Sequence, residues 1–203
     1  MSPDRPLVRV VDDDESVRRA VGELLRSVGF SVAAYRNAHD FLAEDKPETP
    51  GCLVLDVHLP GLTGLDLQKE LVGTERALPI IFLTGMGDIP MTVSAMKGGA
   101  VEFLTKPFDT PSLLEAVRSA VQKDREERLD RKNLGELKAR YDFLTPRERE
   151  VMQRIIAGRM NKQIAAEFGT TEPTVKEQRA QVMHKMQAES LVALVLMARR
   201  LGL

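Results

Sequence analysis

The sequence predicts an α/β chain: a doubly wound, five-stranded parallel sheet followed by a small all-α domain of four helices. Three observations predict it. Short apolar runs alternate with amphipathic helical stretches through the first 122 residues, the pattern of a parallel sheet with helices on both faces. The runs are continuous rather than alternating, as strands buried on both faces require. Beyond residue 140 the strand pattern stops and helix-start signals recur at short intervals.

The elements follow in order. Residues 7–11 form a short apolar run that leads into Asp12-Asp13-Asp14. Val17, Val21, Leu24, Leu25 and Val28 then recur at helical spacing, and Gly29 closes that helix. Residues 31–35 read as a strand, and Asn37 can cap a short helix carrying Phe41 and Leu42. The third strand, 52–55, ends at Asp56; helix 65–71 follows. Strand 79–83 ends at Thr84, helix 89–97 closes at Gly98-Gly99, and strand 101–104 runs into Lys106-Pro107. Thr110-Pro111 opens a fifth helix with proline at its favoured first position. Residues 6–122 thus form one domain. Residues 123–140, rich in interspersed charge, continue the fifth helix as a solvated linker.

Residues 141–203 form the helical domain. Thr145-Pro146-Arg147-Glu148 is a capping box with proline at the first position. Asn161 is a candidate cap for a helix over 162–168 that Gly169 ends; Thr171 caps the next, through Val175 to 186. A fourth begins near Glu189. Two helices parted by a short glycine turn have the layout of a helix-turn-helix.

Charge divides along the same line. Residues 1–122 hold 12 Lys and Arg against 18 Asp and Glu, and residues 123–203 hold 17 against 12. The basic rear could face nucleic acid, although on charge alone a solvated helical surface is the favoured reading. Cys52, the one cysteine, excludes a disulfide framework and a cysteine-based zinc site and reads as a buried thiol. No secretory signal is expected in Met1-Ser2-Pro3-Asp4-Arg5, and the apolar run 191–198 is far shorter than a membrane span. A cytoplasmic protein is the expectation.

Parallel strands place their carboxyl ends on one edge, where ligands bind in such sheets. Asp12, Asp13, Asp56, Thr84 and Lys106 all fall at such ends. Carboxylates crowded together raise one another's pKa, and a divalent cation relieves that repulsion. Oxygen ligands with room for water suit Mg²⁺. Such a site fits phosphoryl transfer, with Asp56 as nucleophile and Lys106 neutralising oxygen charge. Asp14 reads as a helix cap rather than a ligand.

Val11-Asp12-Asp13-Asp14, Leu55-Asp56-Val57-His58-Leu59-Pro60-Gly61, Leu83-Thr84-Gly85 and Leu104-Thr105-Lys106-Pro107-Phe108 together resemble the receiver domain of two-component response regulators. The resemblance implies a flavodoxin-like fold and phosphorylation of Asp56 by a sensor histidine kinase. It implies Mg²⁺ held through Asp12, Asp13, Asp56 and the backbone carbonyl of His58. Thr84 and Lys106 would contact the phosphoryl group, and Thr84 and Phe103 would form a switch pair. Its only catalysis would be self-phosphorylation and self-dephosphorylation at Asp56.

Thr145 to Val151, Asn161-Lys162-Gln163-Ile164-Ala165 and Thr174-Val175-Lys176 resemble the helix-turn-helix of the LuxR/NarL type. The resemblance implies base-facing positions at Lys176, Glu177 and Ala180. Gln178, where many relatives carry histidine, Arg179, Lys185, Asn161 and Lys162 are assigned to phosphates. The partners implied are a kinase, promoter DNA, a second copy of the chain on phosphorylation, and RNA polymerase. Two other readings are a DNA-binding protein whose front domain only dimerises, and a phosphatase working through an aspartyl phosphate.

Overall fold

A computed structural model describes residues 5–44, 49–74, 77–85 and 89–203. Its elements in order are β1 (Leu7–Val11), α1 (Glu15–Ser27), β2 (Ser31–Tyr35), α2 (Ala38–Glu44), β3 (Gly51–Asp56), α3 (Gly64–Leu71), β4 (Ile80–Thr84), α4 (Ile89–Lys97), β5 (Glu102–Thr105), α5 (Thr110–Asp142), α6 (Pro146–Ile156), α7 (Asn161–Phe168), α8 (Glu172–Met186) and α9 (Leu191–Arg200). The chain divides into two compact units, Met1–Glu127 and Arg128–Leu203.

The first unit is the expected sheet, with strand order β2-β1-β3-β4-β5 and every pairing parallel. Successive side chains on a strand point to opposite faces, and the central strands are divided accordingly. Cys52, Val54, Ile81 and Leu83 face one core, closed by Val21 and Leu25 of α1 and by Leu113 and Val117 of α5. Leu53, Leu55, Ile80 and Phe82 face the other, closed by Phe41 of α2, Leu67 of α3 and Ala95 of α4. Burial on both faces is why these strands read as unbroken apolar runs.

Caps fix where the helices begin. The Asp14 carboxylate accepts the Ser16 and Val17 N–H groups at 2.7 and 3.4 Å, so Asp14 is the α1 cap. Asn37 Oδ1 accepts the Asp40 N–H at 2.8 Å. These contacts satisfy orphan donors of a first helical turn.

Two charged residues depart from the expected pattern. Arg9, in the middle of β1, is fully buried. Its guanidinium donates to the carbonyls of Leu7 at 3.2 Å and Thr49 at 3.0 Å, at the amino edge of the sheet. Asp124, expected on a solvated linker, is also fully buried and accepts the Gly51 N–H at 2.8 Å. Gly51 also lets the start of β3 lie close against β1: a Cβ there would lie 1.8 Å from the Leu7 carbonyl oxygen. The first residues after 122 are therefore anchored to the sheet, because a strand-start N–H needs an acceptor and Asp124 is the group in reach.

The second unit packs α6 to α9 around Val151, Met152, Ile155, Ile164, Val175, Val182, Met186 and Leu194, with Leu137 from the end of α5 added. The expected capping box is present: Thr145 Oγ1 accepts the Glu148 N–H at 3.2 Å, and Glu148 Oε2 accepts the Thr145 N–H at 2.8 Å. The cap of α7 is not Asn161, which is the first helical residue; Met160 occupies the cap, with its N–H donated to Gln163 Oε1 at 2.9 Å.

Glu148 has a second task, accepting a hydrogen bond from Lys185 Nζ at 2.7 Å in a pair largely removed from solvent. Burial pushes the Glu148 carboxyl up, but Lys185 and Thr145 outweigh it and hold it below the usual range. Stabilisation from a depressed carboxyl is present above its unfolded pKa and is lost as pH falls through the folded one. Glu148→Gln keeps an acceptor for Thr145 and breaks the ion pair, so urea denaturation is expected to show a loss of about 1–3 kcal/mol at neutral pH. Glu148→Ala is expected to lose about 1 kcal/mol more with the cap.

Candidate functional site

The sheet order sets β1 beside β3, with Val11 opposite Leu55, so Asp12 and Asp13 leave β1 next to Asp56, the last residue of β3. This is where strand order reverses, the usual ligand position in such a sheet. One oxygen from each of the three carboxylates lies within 4.8 Å of the others. Asp12 and Asp56 are buried, at 1% and 6% exposure, whereas Asp13 faces solvent.

Lys106, just past β5, reaches into this cluster. Its ammonium donates to Asp12 Oδ2 at 2.6 Å and Asp56 Oδ2 at 2.9 Å. The remaining carboxylate oxygens are held by backbone: Asp12 Oδ1 accepts the Asp14 N–H at 3.0 Å, and Asp56 Oδ1 accepts the His58 N–H at 3.1 Å. The Val57 carbonyl accepts the Gly64 N–H at 3.0 Å, and a Cβ on Gly64 would meet the Asp56 carbonyl oxygen at 2.2 Å. The loop after Asp56 is thus closed tightly beneath the carboxylate.

One ammonium does not balance three carboxylates. Burial pushes Asp12 above the usual carboxylate range against the pull of Lys106 and the Asp14 N–H, and the Asp56 charge adds to the rise. Burial works against the Lys106 ammonium, but its bonds to Asp12 and Asp56 outweigh this and raise its pKa. The donor set, all oxygen, with excess negative charge and one arm in water, fits a hard divalent cation. Asp12, Asp13 and Asp56 are the side chains placed to hold it.

Thr84, the last residue of β4, is fully buried beside this cluster, and its Oγ1 lies 3.3 Å from His58 Nδ1. Phe103 on β5 is half-buried, its ring 6.2 Å from that of Phe82. Sequence reasoning missed two members of this site. Arg18 on α1 donates to the Asp12 and Asp13 carbonyls at 2.7 and 2.8 Å, holding the acidic turn in place. His58 was assigned through its carbonyl, but its imidazole also takes part. A helical offset from Asp14 points to Arg18; nothing local points to the His58–Thr84 contact.

The second candidate surface is α8. Val175, Val182 and Met186 are buried, which turns Lys176, Glu177 and Ala180 outward, as expected from the sequence. Gln181 and His184 extend the same exposed face, and the spacing from Glu177 and Ala180 is the signal that would have found them. Lys162 is exposed at the start of α7, and Arg179 donates to Asn161 Oδ1 at 3.4 Å. Gln178 is half-buried with Oε1 turned inward. Lys185, assigned to phosphate from its charge, is instead taken up by Glu148 and sits 5.2 Å from the Phe143 ring centre. The corresponding helix face packs on α6, so its ammonium serves the fold.

Residues 8–118 match the model of the response regulator receiver domain, and residues 142–198 match that of the luxR family of bacterial regulatory proteins. The chain belongs to the response regulators. It is 50% identical over 199 residues to nodulation protein W of Bradyrhizobium diazoefficiens, covering 98% of this chain and 88% of that one. It is 41% identical over 196 residues to the transcriptional regulatory protein FixJ of the same organism, covering 97% and 96%. The solved structure of response regulator StyR superposes with a TM-score of 0.85 at 46% identity, covering 97% of this chain and 99% of that one. This response regulator is a transcriptional regulator in two parts, a receiver and a luxR-type helix-turn-helix. A receiver implies a histidine kinase partner, and a luxR-type domain implies DNA. Among the described residues, no helix is long and apolar enough to cross a membrane.

A raised carboxyl has a definite linkage sign. The fold favours protonated Asp12, so stability declines as pH rises through its raised pKa. Asp12→Asn is therefore expected to raise the metal-free Tm at neutral pH by roughly 2–4 °C and to flatten that decline. Thermal unfolding with and without an added divalent cation checks this: a cation held by the three carboxylates is expected to stabilise the unsubstituted chain and to have much less effect on the variant.

Proposed function

We propose that Asp56 accepts a phosphoryl group from a sensor histidine kinase and that the acyl phosphate promotes promoter binding through α8. The observation that carries this reading is the convergence of Asp12, Asp13 and Asp56 on one another, with the Lys106 ammonium bonded to Asp12 and Asp56. A carboxylate oxygen of Asp56 attacks phosphorus; an O–P bond forms as the P–N bond to the kinase imidazole breaks, and that imidazole departs with the bonding pair. Lys106 is placed to follow the charge onto the phosphoryl oxygens. Asp12, Asp13, Asp56 and the His58 carbonyl would hold Mg²⁺, which would supply charge neutralisation for the phosphoryl oxygens. Hydrolysis of the acyl phosphate by water at the same site resets it.

The readout is a population shift. The Thr84 hydroxyl turns to the phosphoryl group, Phe103 moves in behind it, and the surface of α4 and β5 changes. Ile89, Val93 and Met96 expose an apolar strip on α4, at 80%, 44% and 43%, suited to pairing with a second copy. Val192 and Leu196 on α9 offer a second such surface. A symmetric dimer places two α8 helices on half-sites related by two-fold symmetry. Lys176, Glu177 and Ala180 read bases, while Lys162, Asn161, Gln178 and Arg179 bind phosphates. Residues 123–140 act as the linker. The setting is the cytoplasm, and the promoter-bound dimer acts on RNA polymerase.

Incubation with acetyl phosphate and Mg²⁺ is expected to add one phosphoryl group to the intact mass and to strengthen DNA binding; Asp56→Asn should lose both. Enhancement that persists in Asp56→Asn would sink the reading. On a duplex selected from random sequence, Lys176→Ala is expected to cost about 1–3 kcal/mol and relax base preference. Lys162→Ala should weaken all duplexes alike and reduce the slope of log affinity against log salt by about 1.

A further inference from the structure

We propose that the His58 side chain is a positioning residue that holds the Thr84 hydroxyl in its ligand-free orientation and so sets how readily this receiver switches. The inference rests on the phosphoacceptor reading of Asp56 and deepens it. His58 is two residues beyond Asp56, on the loop that Gly64 closes, and its own N–H is bonded to Asp56 Oδ1 at 3.1 Å. That contact fixes the start of the side chain. The imidazole is exposed, with Nδ1 3.3 Å from Thr84 Oγ1.

Thr84 itself is fully buried, and its backbone is pinned: its carbonyl accepts the Lys106 N–H at 2.6 Å. Either tautomer of His58 ties Oγ1 to the ring, by accepting the hydroxyl proton or by donating Nδ1–H. A hydroxyl that turns to an acyl phosphate on Asp56 must leave that partner. The bond therefore favours the unswitched state, and a ligand at Asp56 must overcome it before the population shifts.

The test uses the full chain with Mg²⁺ and beryllofluoride, a non-covalent stand-in for the phosphoryl group, at fixed pH. Affinity is measured by ¹⁹F NMR, and the Thr84 methyl resonance is followed with and without ligand. His58→Phe keeps a ring and loses the hydrogen bond; it is expected to tighten binding about three- to tenfold, the value of one net hydrogen bond. In the ligand-free chain its Thr84 methyl signal should move toward the bound position. His58→Asn, whose side-chain amide falls near the Nδ1 position, should behave like the unsubstituted chain. On a Thr84→Val background, His58→Phe should change nothing. The proposal is overturned by unchanged or weaker binding in His58→Phe, by equal effects of Phe and Asn, or by tightening that survives Thr84→Val. Failure of the unsubstituted chain to bind beryllofluoride overturns the phosphoacceptor reading and the restraint with it, whereas normal binding unaffected by His58→Phe removes the restraint alone.

Discussion

Asp12, Asp13 and Asp56 are crowded together, the Lys106 ammonium bonds two of them, and those two are buried. Like charges at this distance repel, and burial strips away the water that would screen them. Something must hold them there. The parallel sheet does so through its backbone, since β1 and β3 are adjacent and their carboxyl ends cannot diverge. Arg18 braces the acidic turn from α1, and Gly64 closes the loop below Asp56. The resulting excess of negative charge is what makes the site receptive to a cation.

The opposite edge of the sheet handles charge differently. Arg9 and Asp124 are buried there, yet each is bonded to main-chain groups near the starts of β1 and β3. One edge thus carries charge left available for chemistry, and the other carries charge consumed in closing the fold. The same distinction separates the basic residues of the second unit. Lys176 and Lys162 stand in water, whereas Lys185 is spent on Glu148. Basic composition is a count of residues; a nucleic-acid surface is the subset that the core has not claimed.

The sheet and the helices were legible because their signals are local. Continuous apolar runs mark β3 and β4, a capping box marks α6, and the turn before Thr171 separates α7 from α8. The site residues were legible for the same reason: a parallel sheet converts position at a strand end into position in space. Arg9 escaped because one charged residue does not disturb a five-residue run. Asp124 escaped because interspersed charge normally marks a solvated helix, and its acceptor role depends on Gly51, far away in the chain.

By itself the sequence determined which residues meet at the carboxyl edge, since the alternation of strands and helices admits few topologies and each strand end carries its own chemistry. Only the tertiary structure decided how those residues are paired. The bonds of Lys106 to Asp12 and Asp56, of Lys185 to Glu148 and of His58 to Thr84 join segments distant in the chain. Periodicity carries no information about such pairs. They arise because buried polar groups must find partners, and packing settles which partner is within reach.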